Sequence, residues 1–177
     1  MNGSLWRAGA CASLVLIAVT IAAGSTASAN SKTSATDSTS VRITGKVARP
    51  LVVSDGELQA LPRKRVTVTG DKGTQVTYDG VLVSDLLQRA GVPLDKGLRG
   101  VQMRLYVIVE GADGYQVVFA LPEFDGGFTD RVTILADRQD GKALPSPEGP
   151  FRLIVEGEKR RARWVREVSS LDVEQAR

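Results

Sequence analysis

From Val41 onward, the chain consists largely of short stretches in which apolar and polar residues alternate. Alternation is typical of β-strands with one buried face, because successive side chains of a strand point to opposite faces. The pattern predicts strands at 41–47, 65–69, 74–78, 103–110, 115–120, 132–137, 151–156 and 164–173. Turn-rich segments at 70–73 and 111–114 separate two pairs of these strands, which predicts two β-hairpins.

Helix signals are few and short. Ser54 and Glu57 stand ahead of Leu58 with the spacing of a capping box, which predicts a helix start. A second helix is predicted over 84–91, with Ser84 as the N-terminal cap and glycine after its last turn. Many strands and two small helices, without regular strand–helix alternation, favour a single strand-rich α+β domain.

The first 29 residues have the pattern of a secretory signal peptide. Arg7 precedes an apolar run at 14–23, and the small residues Ala27-Ser28-Ala29 form a cleavage site. The apolar run is too short for a membrane-spanning helix, which needs about 20 residues. We therefore expect a signal peptide at 1–29, a disordered lead-in at 30–40 and one domain at 41–175. The mature protein would be secreted or periplasmic, without a transmembrane span.

The composition excludes several kinds of chemistry. The chain has no histidine, so it cannot form a Ser-His-Asp triad or a histidine-ligated zinc site. Its one cysteine, Cys11, lies in the predicted leader, so the mature chain has no thiol. A net charge of +3, together with the predicted export, argues against a nucleic-acid partner. Chemistry must depend on carboxylates, Arg, Lys, Tyr, Ser and Thr, or on a bound cofactor.

The carboxylates Glu123 and Asp125 have the spacing of a pair, but their surroundings favour a structural role. They lie in the segment PEFDGG (122–127), whose proline and glycines are typical of a turn. We interpret them as turn caps, and no catalytic residue or metal ligand is predicted.

The strongest concentration of charge is the basic segment, residues 159–166 (KRRARWVR). If it is a strand, Arg161 and Arg163 share one face and Trp164 points to the other, into the core. Guanidinium groups match the geometry of oxyanions, so an anion site is one interpretation. The alternative is a solvated face balanced by glutamates, namely Glu156, Glu158 and Glu167.

Three segments, in order, resemble the molybdopterin-binding domain of the sulfite oxidase-type oxidoreductases, in a small secreted form. They are GKVARPLVVSDGELQALPRKRVTV (45–68), YDGVLVSDLLQRAGV (78–92) and, after an Asp-Gly-Tyr, GPFRLIVEGEKRRARWVREVSSLDV (149–173). The resemblance spans residues 41 to 173.

This resemblance implies a mixed α+β fold with a half-barrel of strands. It also implies a molybdenum–pterin cofactor that supports oxygen-atom or two-electron transfer in the catalytic members. In those members a cysteine thiolate holds the metal just after the strand matched here by 65–69. This chain has Thr69-Gly70-Asp71-Lys72-Gly73 there. Arg152 matches an arginine that borders the family's anion pocket, and Arg163 matches a lysine near the pterin.

Two hypotheses about function follow. One is a family oxidoreductase or oxidoreductase subunit that binds molybdopterin without a thiolate, with a partner supplying ligands. The other is a secreted binding module that uses the former cofactor cleft for a small anionic ligand or a protein partner. No bound metal is expected, and molybdopterin is implied by resemblance alone. In either case we expect Arg152, Arg161, Arg163 and Tyr115 to contact the cofactor or anion, and Glu156, Glu158 and Asp113 would neutralise the cluster if no ligand binds.

Overall fold

The fold consists of two β-sheets, and the strand order in each is set by long-range pairing. The structure, a computed structural model, describes residues 40–70 and 73–177. The described residues belong to one compact unit. The predicted signal peptide at 1–29 and lead-in at 30–40 lie outside them, except for Ser40, the first residue of β1.

Ten strands and two α-helices make up the regular structure of the described residues. The strands are β1 (Ser40–Gly45), β2 (Leu51–Ser54), β3 (Lys64–Thr69), β4 (Gln75–Leu82), β5 (Leu105–Gly111), β6 (Gln116–Ala120), β7 (Thr133–Gln139), β8 (Lys142–Ala143), β9 (Arg152–Val155) and β10 (Val168–Gln175). The helices are α1 (Asp55–Gln59) and α2 (Val83–Arg89), and short 3-10 turns include Gly100–Arg104, Leu121–Phe124 and Arg161–Arg163.

The first sheet is mixed, with the order β2-β1-β10-β5-β6. Its first and last strands in sequence, β1 and β10, pair in parallel, and the other neighbours are antiparallel. In β5 every second residue is buried, which is the alternation that the sequence shows. The predicted hairpin of β5 and β6 is confirmed, with Ile108 opposite Val118.

The second sheet has the order β3-β4-β7-β8, and β9 also pairs with β7. The predicted hairpin of β3 and β4 is confirmed, with Val66 opposite Tyr78. A bulge between Asp79 and Gly80 shifts the register of β4 against β7. A Cβ atom at Gly80 would overlap the Leu135 carbonyl, so this position admits only glycine.

A continuous hydrophobic core lies under the strands and α2. Its largest fully buried side chains include Phe119, Phe151, Leu58, Leu86 and Leu87. The strand-rich α+β fold that the sequence predicts is therefore confirmed. No helix among the described residues is long and apolar enough to cross a bilayer.

Two sequence-based predictions are wrong in detail. The predicted strand 164–173 begins only at Val168, and Arg161–Arg163 forms a 3-10 turn closed by the Trp164 N–H on the Arg161 carbonyl. Helix α2 begins at Val83, directly after β4, and its N-cap residue Leu82 has no side-chain cap. Because Val83 is fully buried, core packing fixes the helix start one residue before the expected serine.

The capping box that the sequence predicts at α1 is confirmed. The Ser54 hydroxyl accepts from the Glu57 N–H at 3.4 Å, and the Glu57 carboxylate accepts from the Ser54 N–H at 2.8 Å. The bond from the Ser54 backbone lowers the pKa of Glu57 below its usual value. The contribution of this carboxylate is therefore present above its pKa in the unfolded chain and is lost as the pH falls through its folded-state pKa.

We expect Ser54→Ala to lower the free energy of unfolding by about 1 kcal/mol, because it leaves a helix N–H without its side-chain acceptor. Ser84→Ala is the matched control, since Ser84 forms no capping bond, and its effect should be close to zero. Urea denaturation followed by circular dichroism measures both. Equal losses in the two variants would contradict the capping account.

Candidate functional site

Trp164 is the centre of the candidate site. Its side chain is buried, as predicted, and its indole N–H donates to the Val155 carbonyl at 3.1 Å. Its ring meets that of Tyr78 edge-on, with centroids 5.9 Å apart and planes at 84°. The hydrogen bond joins the basic segment to β9, and the ring contact joins it to β4.

Arg152 lies against both rings from the first position of β9. Its guanidinium carbon is 5.5 Å from the Trp164 centroid and 5.9 Å from that of Tyr78. One guanidinium nitrogen, Nη1, pairs with the Glu148 carboxylate and lies 3.5 Å from the Tyr78 hydroxyl oxygen. The residue is 8% exposed, and its buried Nε–H has no hydrogen-bond acceptor among the described residues. Arg152 is thus a buried cation with one unused donor.

Arg161 reaches the same ring from the 3-10 turn. Its guanidinium carbon is 5.2 Å from the Trp164 centroid, and its Nη2 donates to the Thr69 carbonyl at 3.1 Å. Thr69 is the last residue of β3. The basic segment is therefore bonded to the strand end after which the catalytic relatives are expected to carry their thiolate.

Arg163 does not join this cluster. Its guanidinium pairs with Glu123 at 2.7 Å and Glu158 at 3.3 Å, and it lies 4.2 Å from the Phe119 centroid. The expectation that Arg161 and Arg163 share one strand face is wrong, because they lie in a 3-10 turn rather than a strand. Side chains two residues apart on such a turn point about 120° apart.

Tyr115 lies next to the basic segment and is 48% exposed. Its hydroxyl donates to the Ala162 carbonyl at 2.6 Å, so its proton is already engaged. A cleft of about 220 Å³ opens here, which we call the Trp164 cleft; it is lined by Asp113, Tyr115, Arg161, Ala162, Trp164 and Arg166.

Sequence reasoning missed Glu148 and Tyr78 as partners of Arg152. The spacing of Glu148, four residues before Arg152 in SPEGPFR, was a signal for the ion pair. Of the glutamates expected to balance the arginines, Glu158 does so. Tyr78 gave no local signal, because its contact with Arg152 follows from the pairing of β4, β7 and β9.

The two candidate carboxylates are turn caps, as predicted. Asp125 is buried and accepts from the N–H groups of Asp95 at 2.6 Å and Gly127 at 2.7 Å. Glu123 accepts from the Ala120 N–H at 2.9 Å besides pairing with Arg163.

The residues at the end of β3 do not fit a thiolate-held molybdenum. Thr69 and Gly70 offer no soft ligand, and the one cysteine of the chain is Cys11. Across residues 40–70 and 73–177, no three His, Cys, Asp or Glu side chains are grouped so that they could hold a metal ion.

Comparison with known proteins decides the family. The model of the oxidoreductase molybdopterin binding domain matches residues 28–177. The chain belongs to this family. A solved structure, the sulfane dehydrogenase SoxCD from Paracoccus pantotrophus, matches with a TM-score of 0.60 and 25% identity. The match covers 77% of this chain and 38% of that one, so this molybdopterin-domain protein spans well under half of the SoxCD chain. No curated protein matches this chain.

We expect Trp164→Ala to lower the free energy of unfolding by about 3–5 kcal/mol, as other large aromatic truncations do in buried sites. Trp164→Phe keeps a ring against Tyr78 but loses the bond to Val155, so it should cost about 1 kcal/mol through that bond. Guanidinium denaturation measures both variants. A loss below about 1 kcal/mol for the alanine variant would mean that Trp164 does not anchor the segment.

Proposed function

We propose that this protein is an exported anion-binding module of the molybdopterin-domain family, and that its site is the pair of guanidinium groups at Trp164. Export is proposed from the signal-peptide pattern at 1–29, and the family match begins at residue 28, beside the expected cleavage site. The mature protein would work in the periplasm or outside the cell.

The observation that carries this proposal is the unused Nε–H of Arg152. A buried donor without an acceptor costs free energy, and the cost is greater for a charged group. Glu148 neutralises the guanidinium but pairs through Nη1, which leaves Nε free to donate. An oxyanion that accepts a hydrogen bond from the Nε–H would remove this cost. Hydrogen bonds between ionised partners are about twice as strong as those between neutral partners.

Arg161, which is exposed, supplies the second cation, while Arg152 itself is not among the residues that line the cleft. Arg161 lines the Trp164 cleft and its guanidinium lies over the same indole as that of Arg152. Arg166 lines the cleft as well, and Asp113 is the one carboxylate in the lining. The cleft therefore carries net positive charge, which attracts a small anion.

Sulfur oxyanions are the first ligands to test. SoxCD is by name a sulfane dehydrogenase, and this chain shares its fold but has no thiolate after β3. Such a module would bind an oxyanion without transforming it.

A second candidate function is an oxidoreductase subunit that binds molybdopterin while a partner chain supplies the metal ligands. Membership of the family favours it. The first candidate predicts that the isolated protein binds free oxyanions, whereas the second needs the pterin and the partner.

The test is a titration of sulfite, sulfate and phosphate by isothermal calorimetry, using the mature protein. We expect millimolar or tighter binding of at least one anion. Arg152→Lys should weaken it about tenfold, because lysine keeps the charge but lacks the Nε donor and the planar fork.

Arg163→Ala is the control for a general loss of positive charge, because it removes a whole cation from the 3-10 turn beside the cleft, whereas Arg152→Lys keeps its charge, and two glutamates already hold Arg163. Its affinity should stay within about twofold of wild type, since the ion pairs it loses lie outside the cleft. No binding at millimolar concentration, or equal binding by the Arg152 variant, would overturn the proposal.

A further inference from the structure

A second cavity lies at the opposite end of β3 from the Trp164 cleft. Its volume is about 270 Å³, and it lies between the start of β3, the junction of β4 with α2, and the loop 125–132. We call it the loop pocket. Lys64, which lines it, is five residues from Thr69, about 17 Å along an extended strand. The two cavities are therefore separate sites.

The wall formed by the loop is fixed by hydrogen bonds. The buried Asp125 carboxylate accepts from two backbone N–H groups, and its carbonyl accepts from the N–H groups of Phe128 at 3.0 Å and Thr129 at 3.2 Å. The Thr129 hydroxyl accepts from the Arg131 N–H at 3.1 Å. Little ordering of this loop is needed when a ligand enters, which lowers the cost of binding.

Several polar groups of the pocket have no partner in the described part of the chain. Thr133 lines the pocket and is 6% exposed as a residue, and its hydroxyl, which stays accessible to solvent, forms no hydrogen bond to a described residue. Lys64 and Asp130, which also line the pocket, form no ion pair there, either with each other or with another residue. Arg131 is different, because it pairs with Glu158 at 3.5 Å.

The remaining lining is apolar. Leu82, Phe124 and Val132 contribute to it, and Phe124 is almost fully buried. The pocket therefore offers one exposed, unpaired positive charge, one exposed, unpaired negative charge, a hydroxyl that is open to the pocket side and an apolar surface. A ligand that satisfies all four carries a carboxylate, an ammonium group and a short apolar side chain.

We propose that the loop pocket binds a small zwitterion, specifically an α-amino acid with an apolar side chain. Lys64 and the Thr133 hydroxyl hold the carboxylate, and Asp130 holds the ammonium group. The side chain lies against Leu82, Phe124 and Val132. This site is independent of the proposed oxyanion site.

The test uses L-leucine and two analogues of similar shape, each lacking one charge: 4-methylpentanoate and 3-methylbutylamine. Binding is measured by calorimetry, and two-dimensional amide NMR shows where the ligand binds. Leucine should bind at millimolar concentration and shift the amides of 124–133, and each analogue should bind about tenfold more weakly because one charged contact is missing. No leucine binding at millimolar concentration, or equal binding by an analogue, would overturn the proposal.

The matched variants are Lys64→Ala and Arg65→Ala. Lys64 lines the pocket, whereas Arg65 is the next residue of β3 and pairs with Asp79 at 3.0 Å outside it. Lys64→Ala should weaken leucine binding about tenfold and Arg65→Ala should leave it unchanged. Thr133→Val, which keeps the packing, should also weaken it. Equal affinities in all three variants would overturn the assignment, whatever the oxyanion titration shows.

Discussion

The indole of Trp164 holds the basic segment onto the second sheet. Its N–H reaches the β9 backbone, and its ring contacts Tyr78 on β4 and lies under the guanidinium groups of Arg152 and Arg161. A cation held over an aromatic face is attracted by the ring, and the attraction is greater when the pair is shielded from water. The positions of the Arg152 and Arg161 guanidinium groups thus depend on one buried side chain.

Local signals in the sequence were sufficient for most of the fold. Alternation of apolar residues located β5 and its partner β6, and the Ser54–Glu57 spacing located α1. These features depend on neighbours along the chain, so a sequence pattern carries them. The family resemblance rested on the order of three weak motifs, and the family match over 28–177 confirms it.

The geometry of the basic segment could not be predicted in the same way. Four of the five residues at 159–163 are cationic, so no alternation separates a strand from a turn. The direction of Arg163 depends on Glu123, which lies 40 residues earlier in the chain. The free Nε of Arg152 follows from the placement of Glu148 against one end of the guanidinium, which no sequence spacing specifies.

The family fold persists here with a different set of chemical groups. The strand end that would precede a thiolate is instead bonded through its Thr69 carbonyl to Arg161. A hard carbonyl held by a guanidinium is no ligand for a soft metal. A fold supports many functions, and function has to be argued from the groups at the site. Those groups here are hydrogen-bond donors and cations, which are the groups that the proposed anion site requires.

Elemental analysis tests this account most directly. The mature protein would be purified from its native host and its molybdenum content measured per chain by mass spectrometry, beside a family member that has the thiolate. The account predicts molybdenum near zero in this protein and near one per chain in the relative. Molybdenum near one per chain in this protein would contradict the account.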